Sequence, residues 1–357
     1  MFQNDDLQWY PTPLELGRRA WAKFKNRNFI RVLEPSAGDG ALIKAHPNWE
    51  NRGYYCMPTV DAIEMDLSKH DALRSCGVSV VGLDFMSFSN GAMYSHAILN
   101  PPFRYGAQHV LKAWEILWDG EIVAIINAET LRNPCTKERQ MLLHLVQEYG
   151  EVEYIEDAFK GSDVVREADV EIALVYLKKE ANLDKDIFDG LLDGLAEDHE
   201  TGEGLAGEYH QMFEVALPTS QIENRVATFN AAVRAMQAAV FAEAKATHYA
   251  SLLGKTMAEH LDQKGAKANQ VEMVRNVKTE IAERYGKLKD AAWAGILRSS
   301  NVTAKLSSKA QRRVESEFER IKKLDFTLTT IYGFLCGIVE SQGQIQIDMA
   351  CVIGSTH

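Results

Sequence analysis

Between residues 29 and 179, short apolar runs rich in β-formers alternate with stretches of helical periodicity. This is the rhythm of an open α/β sheet. Seven runs read as strands: FIRVLEPS (29–36), TVDAIEMD (59–66), VSVVGLDF (78–85), SHAILNPP (95–102), EIVAIIN (121–127), VEYIED (152–157) and VEIALVYLKK (170–179). Helices are predicted at GALIKAHPNW after the first run, GAQHVLKAWEILWDG after the fourth and TKERQMLLHLVQEYG after the fifth. Only AFKGSDVVREAD separates the last two runs. That is too short for a helical crossover between parallel strands, so they should pair antiparallel as a hairpin.

Beyond residue 180 the pattern changes. An acidic stretch containing ETGEGLAGE reads as a linker or mobile loop, because glycine and like charges both disfavour compact packing. From Ser220 to about Gly254 a long helix is predicted, opened by the capping-box pair Ser220 and Glu223. Its apolar residues Ile222, Val226, Phe229, Val233, Met236 and Val240 recur at spacings of four and three, a stripe that requires another helix against it. A second helix is expected from about Asn269 to Arg298 and a third over SSKAQRRVESEFERIKKL. The final QGQIQIDMACVIGSTH alternates like a strand. The resulting division is 1–180, 181–214 as linker, and a mainly helical 215–357.

Composition narrows the classes. With 357 residues, 46% of them hydrophobic, the chain can bury a core in each of two parts. No apolar run approaches the ~20 residues that cross a bilayer, and MFQNDDLQWY is acidic where a signal peptide is basic and then apolar. A soluble, cytoplasmic protein is expected, with no membrane contact. Five scattered cysteines form no CxxC pair, so neither a disulfide framework nor a zinc site is encoded, and no metal is expected. The net charge of −11 argues against an evenly basic nucleic-acid coat. That average hides sorting: residues 182–214 hold ten acids and one base, whereas residues 264–323 hold fifteen bases and seven acids. Such segregation suggests an electrostatic footprint in the second region.

In an open parallel sheet, ligands lie beyond the carboxyl ends of the strands. After the first run comes EPSAGDG, in which Gly38 and Gly40 permit a sharp turn and close approach of backbone to ligand. The loop lacks both G-x-G-x-x-G and the G-K-[ST] of a P-loop, so a diphosphate is not its natural guest. Glu64, 24 residues beyond Gly40, can accept both hydroxyls of a ribose. Asp84 follows the third run and can accept from an exocyclic amine, with Phe85 beside it as an apolar face. A glycine turn, a ribose acid and an amine-accepting acid describe a nucleoside without a pyrophosphate grip, and S-adenosylmethionine fits that description. Each acid alone is more simply read as a cap on the next helix. Their occurrence at three successive strand ends favours the nucleoside.

With NPPF (100–103) at the end of the fourth run and WYPTP near the N-terminus, the series LEPSAGDG, IEMD, GLDF, NPPF resembles the motifs of adenine-specific, S-adenosylmethionine-dependent DNA methyltransferases over residues 8–179. In the matching motif order, the recognition region follows the catalytic domain. The resemblance implies a seven-stranded Rossmann-like methyltransferase sheet with an antiparallel last strand, followed by the helical region as DNA-recognition or partner-binding domain. It implies Asn100, Pro101, Pro102 and Phe103 as the catalytic element, with the Asn100 amide oxygen and the Pro101 carbonyl accepting from the target amine. Two prolines fix φ and pre-aim these acceptors, and Phe103 supplies a stacking face for an extruded base. Tyr10, Pro11 and Thr12 would line the methionine end of the cofactor, near Glu34, Ser36, Gly38 and Gly40. Glu64 would take the ribose, Asp84 the adenine amine, and Met65 and Phe85 would sandwich the adenine. Phe159 occupies a position where such enzymes present a second stacking ring.

For the duplex, Lys305, Lys309, Arg312, Arg313, Lys322 and Lys323 are the candidate phosphate contacts. The region AAWAGILRSSNVTAKLSSKAQRRVESEFERIKKLDFTLTTI is similar to a helical domain of unassigned role that accompanies some methyltransferases of phages and mobile elements. The expected activity is N6-adenine methylation of DNA, in a phage, plasmid or restriction-modification setting. Two alternatives stay open: methylation of an RNA base or a protein glutamine amide, and a non-catalytic factor that binds S-adenosylmethionine or DNA, such as an anti-restriction protein.

Overall fold

A computed structural model of the chain describes residues 10–52, 57–159, 170–181, 219–253, 263–299, 318–319 and 321–335. All seven expected strands form: β1 (Val32–Glu34), β2 (Val60–Ile63), β3 (Ser79–Gly82), β4 (His96–Leu99), β5 (Gly120–Asn127), β6 (Gly150–Ile155) and β7 (Ile172–Lys179), with β6 starting two residues before its expected run. They make one sheet in the order β3, β2, β1, β4, β5, β7, β6. The five strands from β3 to β5 run parallel, while β7 is antiparallel to both β5 and β6. The short β6–β7 connection dictates that reversal, as its length predicts. Every residue of β1, β2 and β4 is buried, as befits strands covered on both faces.

The helices of this unit are α1 (Leu14–Lys23), α2 (Ala41–Lys44), α3 (His70–Ser75), α4 (Gly106–Ile116), α5 (Glu129–Arg132) and α6 (Lys137–Tyr149). The Thr136 hydroxyl caps α6 by accepting from the Arg139 amide at 3.3 Å, and Leu142 and Val146 turn inward one helical turn apart. Helix α1 buries Leu16, Ala20 and Trp21, and the Trp21 indole N–H donates to the Leu42 carbonyl at 2.8 Å. The same helix carries the cations Arg19 and Lys23, which pair with Glu153 on β6, the Lys23 bond measuring 2.9 Å. The N-terminal segment is thereby held to the sheet by its apolar face and by charge.

Two further helices follow, α7 (Thr219–Leu253) and α8 (Gln263–Ser299), close to the expected 220–254 and 269–298. Residues 328–335 are also helical. Of the expected linker 181–214 all but Ala181 lies outside the described residues, as do most of the third expected helix and the strand-like C-terminal stretch. The chain divides into two units, Met1–Asn182 with Thr256–Thr279, and Leu183–Lys255 with Glu280–His357. In the second unit, Ile222, Phe229 and Val233 of the predicted stripe enter one core with Tyr285, Trp293, Phe326 and Phe334. Trp293 meets Phe326 edge-on at 5.2 Å. Tyr285 donates its hydroxyl to the buried Asp325, whose carboxyl is pushed up to about 8 by desolvation.

Within the first unit, Lys278 of α8 is 1% exposed. Its ammonium donates to the carbonyls of Tyr94, at 3.0 Å, and of Asp119, with the Asp119 carboxylate 3.4 Å away. Burial lowers its pKa, and Asp119 opposes that shift. A buried ammonium bonded to carbonyls is costly to break from one side, because the acceptors are then left without water or partner. Lys278→Met should therefore cost about 1–3 kcal/mol. It should lower the midpoint of thermal unfolding followed by circular dichroism, and an unchanged midpoint would show that the ammonium contributes nothing net.

Candidate active site

The strand order reverses between β1 and β4, so the loops leaving these two neighbours diverge and open a crevice at their carboxyl ends. From the β1 side comes EPSAGDG. Gly38 and Gly40 adopt φ of 54° and 82°, left-handed values that a side chain would strain. The Gly40 amide donates to the Ala37 carbonyl at 2.9 Å, and the Asp39 carboxylate accepts from the Ala41 amide at 3.3 Å, opening α2. Across the turn, Glu64 accepts from the Gly38 amide at 2.6 Å through one oxygen and from the Asp66 amide at 2.8 Å through the other. Each carboxylate oxygen keeps a second lone pair. Glu64 can therefore hold the loop and still accept from two ligand hydroxyls.

The crevice is open to solvent and has a cavity volume of about 130 Å³. Tyr10, Pro11, Thr12, Glu34, Ser36, Gly38, Glu64, Met65, Asp84, Phe85, Asn100 and Pro102 all line it. Gly40, Pro101, Phe103 and Phe159 are not among its walls. Asp84, also in the lining, accepts from the Met86 amide at 2.9 Å through one oxygen. Met65 is half exposed at 51%, and Phe85 is buried with its ring 5.7 Å from that of His109.

Glu34 is the most perturbed group in this crevice. Its side chain is buried and Oε2 has no hydrogen-bond partner. Desolvation, then the charges of Glu64 and Asp39, raise its pKa well above the ordinary carboxylate range. An orphaned acid in an acidic crevice is unfavourable unless a cation or donor-rich ligand reaches it.

From the β4 side comes NPPF. Asn100 donates through Nδ2 to the Tyr10 carbonyl at 3.1 Å and to the Thr12 hydroxyl at 3.0 Å. Pro101 is buried, and Pro102 accepts from the Tyr105 amide at 2.9 Å in the turn that leads into α4. Phe103 lies beside the crevice rather than in its wall. Its ring stacks on Tyr10 at 5.4 Å and 21°, while Phe159 meets both rings edge-on at 5.6 and 6.2 Å. One face of the Phe103 ring is thus covered by Tyr10. Phe159, fully buried, is the fixed wall of the cluster.

His109 lines the crevice although no sequence motif marks it. Its Nδ1 lies 3.0 Å from the Tyr105 carbonyl, an acceptor only, so Nδ1 carries the hydrogen. Burial lowers its pKa, and the neutral ring then presents Nε2 as an acceptor. The spacing of four between Tyr105 and His109 along the helical turn was the available signal.

Of the candidate phosphate contacts, Lys322 pairs with Glu319 at 2.7 Å, and Lys323 is exposed. Lys305, Lys309, Arg312 and Arg313 lie outside the described residues. Among the described residues, no cluster of three or more His, Cys, Asp or Glu is arranged to hold a metal, and no helix is long and apolar enough to cross a membrane.

Residues 285–353 match the family described as Domain of unknown function (DUF4942). No curated protein matches the chain. Among solved structures, cofactor-bound Rv0187 from MTB is 14% identical with a TM-score of 0.33, over 46% of this chain and 80% of that one. The type I restriction-modification system methyltransferase subunit from Streptococcus thermophilus is 14% identical with a TM-score of 0.37, over 48% of this chain and 45% of that one. TrmN from Thermus thermophilus is 14% identical with a TM-score of 0.32, over 46% of this chain and 49% of that one. The chain thus spans less than half the length of the last two.

Glu34 yields a test of the electrostatics. A carboxyl whose folded-state pKa lies above its unfolded value contributes stability that is fully present below the unfolded pKa and lost as pH rises through the folded one. The native protein should therefore lose stability across that rise, and Glu34→Gln should remove the loss. Thermal melts from about pH 5 to about pH 9 should show the variant's midpoint gaining on the native one as pH increases. A constant difference would show that Glu34 does not carry the perturbed proton.

Proposed function

We propose that this protein is an S-adenosylmethionine-dependent methyltransferase that methylates the exocyclic amine of adenine in DNA. One observation carries the reading: the EPSAGDG turn after β1 and Asn100 after β4 line the same crevice, at the point where the strand order reverses. The donors of S-adenosylmethionine suit the acids there. Its ammonium and sulfonium are cations for the acidic end around Glu34, its ribose diol matches the spare lone pairs of Glu64, and its adenine amine matches the carboxylate of Asp84. When bound, the cofactor supplies an electrophilic methyl group on positively charged sulfur.

The chain's own residues then have a simple task. An adenine amine is a poor nucleophile because its lone pair is delocalised into the ring. Acceptors that hold its two hydrogens favour the pyramidal nitrogen and offset the positive charge that develops there. Asn100 Oδ1 and the Pro101 carbonyl are those acceptors. No strong base is needed, because the methylated nitrogen becomes acidic and releases its proton to water. Parting of Tyr10 from Phe103 admits the extruded base between aromatic faces, where stacking contributes ~1–3 kcal/mol. In this reading residues 1–180 form the catalytic domain, 181–214 the linker and 215–357 the grip on the duplex, with Lys305, Lys309, Arg312, Arg313, Lys322 and Lys323 facing phosphates.

Purified protein incubated with tritiated S-adenosylmethionine and unmethylated DNA, RNA or cell protein should label DNA, and the label should be recovered as N6-methyladenine. Label in RNA or protein alone would move the substrate, and none in any would remove the activity. Asn100→Ala should slow transfer by about 10²–10³-fold, the loss typical of one charge-stabilising contact. Cofactor affinity measured by calorimetry should fall far less than the transfer rate, because the lost acceptor acts on the transition state. Asp84→Ala should do the reverse, weakening the cofactor first. A collapse of cofactor binding in Asn100→Ala would show that NPPF was misassigned.

A further inference from the structure

The two terminal atoms of the Asn100 side chain are chemically different, and the structure determines which faces where. Tyr10 presents a backbone carbonyl to one of them at 3.1 Å. A carbonyl can only accept, so that atom must be the amide nitrogen. The Thr12 hydroxyl, 3.0 Å from the same nitrogen, accepts the other hydrogen. Both amide hydrogens are thus consumed by residues 88 and 90 positions away along the chain. Among the described residues, Oδ1 takes no hydrogen bond from protein. Thr12 is buried, at 7% exposure, so water is a poor substitute for its oxygen.

We propose that Thr12 is a positioning residue: together with the Tyr10 carbonyl it clamps the Asn100 amide so that its oxygen, not its nitrogen, meets the target amine. This rests on the reading of NPPF as the methyl-transfer site. Without Thr12, one hydrogen loses its partner and the amide can turn over, presenting a donor to an amine that is itself a donor. Because it accepts from Asn100, Thr12 keeps its own hydrogen for donation. Thr12 also lines the crevice, so an acceptor group of the cofactor bonded to that hydroxyl would tighten the clamp. The hydroxyl then links cofactor binding to the orientation of the amide. The clamp also requires an amide at position 100. Asn100→Asp retains an acceptor for the amine but sets a carboxylate oxygen against the Tyr10 carbonyl.

The test uses the full-length protein and two readouts. The first is hydrogen exchange of the Asn100 carboxamide, followed by NMR of asparagine-labelled protein without cofactor and assigned by its loss in Asn100→Ala. The second is the single-turnover transfer rate at saturating S-adenosylmethionine, with its dissociation constant measured separately. Thr12→Val, which keeps the shape and removes the hydroxyl, should speed exchange and slow transfer, each about tenfold, the consequence of one lost buried hydrogen bond. Thr12→Ser should restore both. Asn100→Asp should also transfer slowly. A Thr12→Val protein with the native transfer rate overturns the proposal, as does equal impairment of Thr12→Val and Thr12→Ser, which would assign the effect to the methyl group. An Asn100→Asp protein with full activity overturns it too. If exchange responds as expected but the native protein methylates nothing, the methyl-transfer reading fails and the positioning role with it, while the clamp itself stands.

Discussion

The reversal of strand order between β1 and β4 is the constraint on which the rest depends. Neighbouring parallel strands whose following loops lead in opposite directions cannot cover their own shared edge, so a crevice is obligatory there. Whatever chemistry the unit performs must be assembled from strand ends: Glu34 from β1, Glu64 after β2, Asp84 after β3 and Asn100 after β4. The sheet makes these positions rigid. Tyr10 and Thr12 are brought in by the segment preceding α1, a helix that Trp21 ties to α2 and the cations on Glu153 tie to β6.

That geometry concentrates negative charge. Glu34, Asp39 and Glu64 crowd one wall, and the most buried of them, Glu34, is held toward its protonated form. Packing and electrostatics conflict here, and stability is sacrificed at a place where a cationic ligand would restore it. Glu64 shows the other use of a carboxylate: it staples the glycine turn through the Gly38 amide, so the loop stays ordered while the acid keeps spare lone pairs. One side chain thereby serves both the fold and the site.

Much of this was legible in the sequence because the signals are local. Buried parallel strands are apolar throughout, and a twelve-residue connection cannot hold a crossover helix, so the strands and the antiparallel hairpin could be read directly. Insertion of β7 between β5 and β6 was not readable, since neither edge of a hairpin is marked for its outer partner. Helix α1 was missed: in ten residues, under three turns, its buried Leu16, Ala20 and Trp21 alternate with Arg18, Arg19 and Lys23, too brief a pattern to stand out. In the site, strand-end acids announced themselves by position, whereas His109 lies in a helix and the Thr12–Asn100 bond joins residues 88 positions apart. Phe103 was expected to offer a stacking face, and the Tyr10 ring covers one side of it, a tertiary contact with no local signature.

The most direct measurement of the central claim is hydrogen–deuterium exchange by mass spectrometry with and without S-adenosylhomocysteine, the product form of the proposed cofactor. Exchange should slow only in peptides spanning the crevice: the Tyr10–Thr12 segment, the glycine turn from Glu34 to Gly40, Glu64 to Asp66, Asp84 to Met86 and the NPPF element. Unaltered exchange at saturating ligand, or protection lying elsewhere in the chain, would contradict it.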